Sequence, residues 1–86
     1  MRNNSKYLSA FIRSRRIEIK LSQLDLSNKL SWRGNNAQYI SNIELGKCPF
    51  PAKHIDKLSI ALQTSREEII DKMVRDYETN LRNSLR

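Results

Sequence analysis

Apolar residues recur along this chain at intervals of three and four, and almost nowhere in alternation. Leu8, Phe11, Ile12 and Ile19 fall on one stripe of a first helix that runs from just after Ser5 to about Ile19. A second helix opens at Ser22, where Ser22-Gln23-Leu24-Asp25 has the spacing of a capping box with Asp in place of Glu. Leu26 and Leu30 form its inner face, with Leu24 or Leu21. A third begins at Asn35 or Asn36, either of which can cap it, buries Ile40 and Ile43, and ends before Gly46. Gly46 serves as a left-handed terminator, the conformation that glycine takes without strain. Pro49 and Pro51 keep the following loop out of a helix. A fourth helix covers about Ala52 to Leu62, with Ile55, Leu58, Ala61 and Leu62 apolar. Ser65-Arg66-Glu67-Glu68 is a second capping box and opens a long final helix. In it Ile69, Ile70 and Met73 close the core, and Tyr77, Leu81 and Leu85 continue beyond as one stripe. Glu68/Lys72, Asp71/Arg75 and Glu78/Arg82 are acid-first pairs four apart, each worth about 0.2–0.5 kcal/mol. The pattern predicts an all-α fold of five helices with an extended last one.

Size and charge narrow the picture. A chain of 86 residues suits one domain with a single small core. The expected division is a domain over 1–73 and a helical extension over 74–86. No apolar run is long enough to span a membrane. The start, Met1-Arg2-Asn3-Asn4-Ser5, lacks the apolar stretch of a signal peptide, and the lone Cys48 cannot form an internal disulfide. Both points predict a cytoplasmic protein. The net charge is +7, and all of the excess is in one part. Residues 1–57 hold eleven Lys and Arg against four Asp and Glu; the remainder holds five of each. A basic segment followed by a neutral one points to a polyanion-binding unit plus a second element. The plainer reading is a basic surface with no specific partner.

The candidate chemistry lies between Leu21 and Pro51. Asn35, Asn36, Gln38, Ser41 and Asn42 give the third helix an uncharged, amide-rich outer face. A merely solvated face would favour Ala, Glu or Lys, which are better helix formers. Amides are also the side chains that pair with adenine edges in the DNA major groove. In order along the chain come Ile12-Arg13-Ser14-Arg15-Arg16, Leu21-Ser22-Gln23, Leu26, Tyr39-Ile40-Ser41-Asn42-Ile43-Glu44, Gly46-Lys47, Pro51 and Leu58–Leu62. This series resembles the phage repressor/Cro type of helix-turn-helix protein, the Xre family, over about Ile12 to Ile70.

The resemblance implies a compact repressor-like helix-turn-helix domain that binds operator DNA as a homodimer and regulates transcription, most often by repression. It implies base reading by Asn36, Ala37, Gln38, Ser41 and Asn42, and backbone contacts from Gln23 and Lys47. A helix N-terminus such as that at Gln23 presents N–H groups to an anion. It also implies a partly buried ion pair between Arg16 and Glu44. One departure stands out: the segment from Ser31 to Ile40 is a few residues longer than in the best-known phage repressors. Trp32-Arg33-Gly34 is the extra material. The insertion brings Asn35 into the base-reading set and puts Arg33 beside the groove, against phosphate or guanine. Trp32 is expected as a core cover over helices two and three. Two readings of Tyr39 stay open, contact with the DNA backbone and packing into the core. The dimer is expected through Met73, Tyr77, Leu81 and Leu85, because a lone amphipathic helix is marginal in water.

Other chemistry is thin. His54 has no companion ligands, so no metal and no cofactor are expected. Cys48 beside Lys47 is either a thiol of lowered pKa, able to act as a redox switch, or an ordinary loop cysteine. No nucleophile–base pair or phosphate-cradling glycine loop is present, so no enzyme is expected. The competing functions are a protein-interaction adaptor or antitoxin-type partner-binding module on the same fold, and a nucleic-acid binder that uses charge alone.

Overall fold

The computed structural model describes residues 6–32 and 36–85. They form five α-helices: α1 Lys6–Glu18, α2 Gln23–Lys29, α3 Ala37–Glu44, α4 Ile55–Ala61 and α5 Arg66–Ser84. A 3-10 turn over Ala52–His54 leads into α4, and no strand occurs among the described residues. The protein is all-α.

Local signals start the helices. At α2 the Ser22 Oγ accepts from the Asp25 N–H at 2.9 Å, and the Asp25 carboxylate accepts from the Ser22 N–H at 3.0 Å. The capping box is complete with Asp as its acid. At α5 only one half of the box forms, the Ser65 Oγ accepting from the Glu68 N–H at 3.1 Å. Asn36 occupies the N-cap position of α3 without a side-chain capping bond.

The first four helices end alike. After α3, the Lys47 N–H donates to the Asn42 carbonyl at 2.9 Å and the Gly46 N–H to the Ile43 carbonyl at 3.0 Å, with Gly46 at φ +75°. This paired closure is a Schellman motif. The same two bonds recur after α1, α2 and α4, around Lys20, Ser31 and Gln63. All three are left-handed, at φ +61°, +61° and +54°, although none is glycine.

Among the described residues, eleven buried apolar side chains build the core: Leu8, Ile12, Leu26, Leu30, Ile40, Ile43, Phe50, Leu58, Ala61, Leu62 and Ile69. Phe11, Ile19, Trp32, Cys48, Ile55 and Met73 pack around them, half-buried. Leu24 is exposed and Leu21 half-buried.

The last helix departs from the expected pattern. Ile70 is exposed and does not close the core. The buried residue in the second half of α5 is Asp76, not Tyr77. The Asp76 carboxylate accepts from the Tyr7 N–H at 2.7 Å and the Leu8 N–H at 3.1 Å. The first turn of a helix has N–H groups without intrahelical partners, and a carboxylate supplies both hydrogen bonds and a favourable charge there. The expected boundary at 73/74 falls inside this unbroken helix, and its attachment to α1 extends to Asp76. Of the acid-first pairs, Asp71–Arg75 is formed at 3.2 Å. Lys72 lies instead against Asp71 and over the Phe11 ring.

Arg15 ties α1 to the end of α4. Its Nε donates to the Leu62 carbonyl at 2.8 Å and its Nη2 to the Gln63 carbonyl at 2.9 Å. No described helix is long and apolar enough to cross a membrane.

Candidate nucleic-acid interface

The outward face of α3 is held in place from below. Ile40 and Ile43 fix its inner side in the core. The Ser9 Oγ of α1 donates to the Ile43 carbonyl at 2.6 Å. Glu44, the last residue of α3, has a side chain only 2% exposed and is met by Arg16 from α1, 11% exposed. Arg16 Nε and Nη2 donate to the two Glu44 oxygens at 2.6 and 3.0 Å, and Nη1 donates to the Leu21 carbonyl at 2.8 Å. Such a fork-to-fork geometry specifies direction as well as charge. One guanidinium thus joins α1, the α1–α2 turn and the end of α3.

Gln23 belongs to the same group. Its Nε2 donates to Glu44 Oε1 at 3.3 Å, which fixes the amide at the start of α2 beside the end of α3. A primary amide nitrogen carries two hydrogens, so one remains for an outside acceptor.

On the outer face, Gln38 and Asn42 stand one turn apart and Ser41 lies between them. Gln38 Nε2 donates to Asn42 Oδ1 at 3.1 Å. This bond engages one amide hydrogen of Gln38 and leaves its oxygen and second hydrogen available. That remaining edge matches the donor and acceptor of adenine N6 and N7. Gln38 is exposed; Ser41, Asn42, Asn36 and Ala37 are half-buried. Lys47 follows the α3 terminator and is exposed, one residue beyond Gly46. Arg33 and Asn35 lie outside the described residues.

Beside this face is an aromatic cluster. Trp32 stacks on Tyr39 with centroids 5.1 Å apart and on Phe50 at 6.0 Å, and meets His54 edge-on at 5.7 Å. Trp32 packs against the core, as expected of a cover over α2 and α3. Tyr39 packs one ring face on Trp32 and leaves about a third of its surface exposed. The cluster links the start of α3 to the loop before α4. Sequence reasoning did not anticipate the part played by Phe50 and His54. Trp32, Tyr39, Phe50 and His54 are scattered through the sequence with no common period, so no local signal marked the cluster.

Cys48 is half-buried, and burial pushes its thiol pKa up. The lowered value, one of the two readings of Cys48, is therefore corrected: desolvation of the thiolate moves the thiol the other way. A cleft of about 190 Å³ lies where Leu8, Phe50 and Met73 meet Tyr77 and Asn80. Its carboxylate, Asp76, is already committed to α1.

The arrangement is a small all-α domain that presents a rigid, amide-bearing helix within a basic half of the chain. Comparison with family models, curated proteins and solved structures finds no match to this chain.

Proposed function

We propose that this chain is a sequence-specific DNA-binding regulator of the phage repressor/Cro type, which works in the cytoplasm as a homodimer and binds without catalysis. In this reading α3 enters the major groove and turns Gln38, Ser41 and Asn42 toward base edges, with Asn36 and Ala37 at its leading end. Gln23, Tyr39 and Lys47 meet the sugar–phosphate backbone on either side. Repression follows if the bound site overlaps a promoter.

The observation that carries the reading is the Gln38–Asn42 bond. It pre-orients an amide on the exposed side of a helix whose other side is fixed by the core and by Arg16–Glu44. Such preorganisation lowers the ordering cost of binding. The basic first part of the chain supplies the polyanion attraction that a base-reading face requires.

Selection of bound sequences from random duplex DNA tests it, followed by titration of variants on the selected site. Gln38→Ala costs roughly 1–3 kcal/mol on that site and little on random DNA. Lys47→Ala weakens binding to all sequences alike and reduces the salt slope by about 1. If no sequence is enriched, or Gln38→Ala weakens selected and random DNA equally, base reading by α3 is wrong.

A further inference from the structure

On α5, the open stripe of Ile70, Val74, Tyr77, Leu81 and Leu85 extends the residues expected to pair two copies. A second exposed face, the outer side of α1, has no use assigned to it. Leu8, Ser9 and Ile12 are buried and define the inner side of this helix. Ser9 and Arg16 mark the flank that meets α3, through Ile43 and Glu44. Away from the core, Tyr7, Ala10, Ser14 and Ile17 are all exposed. Their spacing is three, four, three, so at about 100° per residue they share an arc of roughly 80°. Tyr7 is 40% exposed and Ile17 50%.

A row of cations borders this arc. Lys6 and Arg13 are exposed and lie within about 40° of Ile17, on the side of α3. Lys20 follows in the left-handed terminator and is exposed as well. Among the described residues, every ion pair of α1 belongs to Arg15 or Arg16, so these three charges are open. On the other border stands Glu18, held by Arg15 at 2.6 Å.

We propose that this face docks an acidic amphipathic helix of a different protein. Its apolar side chains cover the surface from Tyr7 to Ile17, and its carboxylates run along Lys6, Arg13 and Lys20. Spacing selects a helix, because a ridge of residues three and four apart packs into the grooves of another helix. Charge selects an acidic one. The open apolar area is on the order of 200 Å², far below the roughly 800 Å² per partner of a stable interface. The cations therefore supply most of the attraction, which is strongest at low salt.

Other occupants fit less well. A second copy brings the same three cations, on a chain of net charge +7, to the contact. A bilayer takes up a helix with a broad apolar face, and here the large apolar side chains are two, each at least half covered. A phosphate backbone accounts for the cations and leaves Tyr7 and Ile17 without a role.

The proposal does not rest on the DNA reading, since the binding assay contains no operator. The probe is a synthetic peptide of about 16 residues, with leucines three and four apart and glutamates along one flank, long enough to cover the ~15 Å from Tyr7 to Ile17. Titrated into the isotope-labelled full chain, it shifts the amide resonances of Tyr7, Ala10, Ser14 and Ile17 and leaves those of Gln38 and Asn42 in place. Affinity falls about tenfold with Arg13→Glu and about tenfold with Ile17→Ser, each with its helical circular dichroism retained. Lys57→Glu makes the same change of net charge at an exposed position on α4 and alters affinity less than about threefold. No binding at low salt, shifts centred elsewhere, equal losses for Arg13→Glu and Lys57→Glu, or full affinity in Ile17→Ser would each overturn the proposal. So would equal affinity for a peptide with lysine in place of glutamate. Shifts from random-sequence duplex DNA centred on the same four amides would overturn it too, by assigning the row to phosphate.

Discussion

The Asp76 carboxylate lies 2.7 Å from the backbone nitrogen of Tyr7, across 69 residues of sequence. Its second oxygen takes the Leu8 N–H, so one side chain from α5 caps the first turn of α1. The Leu8 bond is buried and the Tyr7 bond partly so, and together they set where α5 leaves the body, and with it the direction of the exposed apolar face beyond.

Replacing Asp76 by Ala orphans two backbone donors at once. Each unsatisfied buried group costs about 1–3 kcal/mol, relieved in part where water reaches the Tyr7 N–H. A loss of about 2–3 kcal/mol in urea unfolding is expected. Hydrogen exchange at Tyr7 and Leu8 accelerates ahead of that at Ile12. Unchanged protection at these two amides would show that the cap contributes little.

Arg16 and Glu44 form the second long-range tie. Because both are largely buried, removal of either leaves an uncompensated charge. Arg16→Met or Glu44→Gln costs about 3–5 kcal/mol. The double variant recovers part of that loss, and a double-mutant cycle shows coupling well above the level of independent sites. Additive losses would mean that each residue acts through other neighbours.

Gln63 holds a left-handed conformation at the end of α4, where a side chain costs about 1–2 kcal/mol relative to glycine. Gly at this position retains the carbonyl that Arg15 uses. Offset by the greater freedom of glycine in the unfolded chain, Gln63→Gly stabilises by about 0.5–1 kcal/mol. A rise in melting temperature checks it, and a fall would show that the Gln side chain itself supports the turn.

Asp25 predicts a pH dependence. Hydrogen bonds from the Ser22 backbone N–H, and then its hydroxyl, hold the Asp25 carboxyl below its ordinary value of 3.8. A carboxyl lowered by folding contributes stability that is fully present above that value and is lost as pH falls through the lower, folded one. The stability gap between the intact protein and Asp25→Ala is therefore constant around neutrality and narrows below pH 3.8. Melting curves of the two in parallel buffers measure it. A gap independent of pH would assign the effect to packing or helix propensity instead.

Helix positions were legible in the chain because their causes are local. The 3.6-residue period of Leu8, Phe11 and Ile12, the capping residues Ser22 and Ser65, and Gly46 ahead of two prolines each act within a turn of where they stand. The amide face of α3 was legible for the same reason, since a run of poor helix formers between buried isoleucines shows in composition alone.

What the tertiary structure decided is which of two neighbouring residues turns inward, and at what local cost. On α5 the wheel favours Tyr77 as much as Asp76. The orphan N–H groups of α1 settle it, because a buried carboxylate there meets two donors while a tyrosine would meet none. Ile70 loses its core place and Val74 becomes part of an open stripe by the same rotation. Lys20, Ser31 and Gln63 carry no sequence mark of a left-handed turn. They adopt one because the next helix must pack where it does, and because the turn closes both hydrogen bonds of the terminator. The gain in core burial and hydrogen bonding exceeds the strain of about 1–2 kcal/mol at each site.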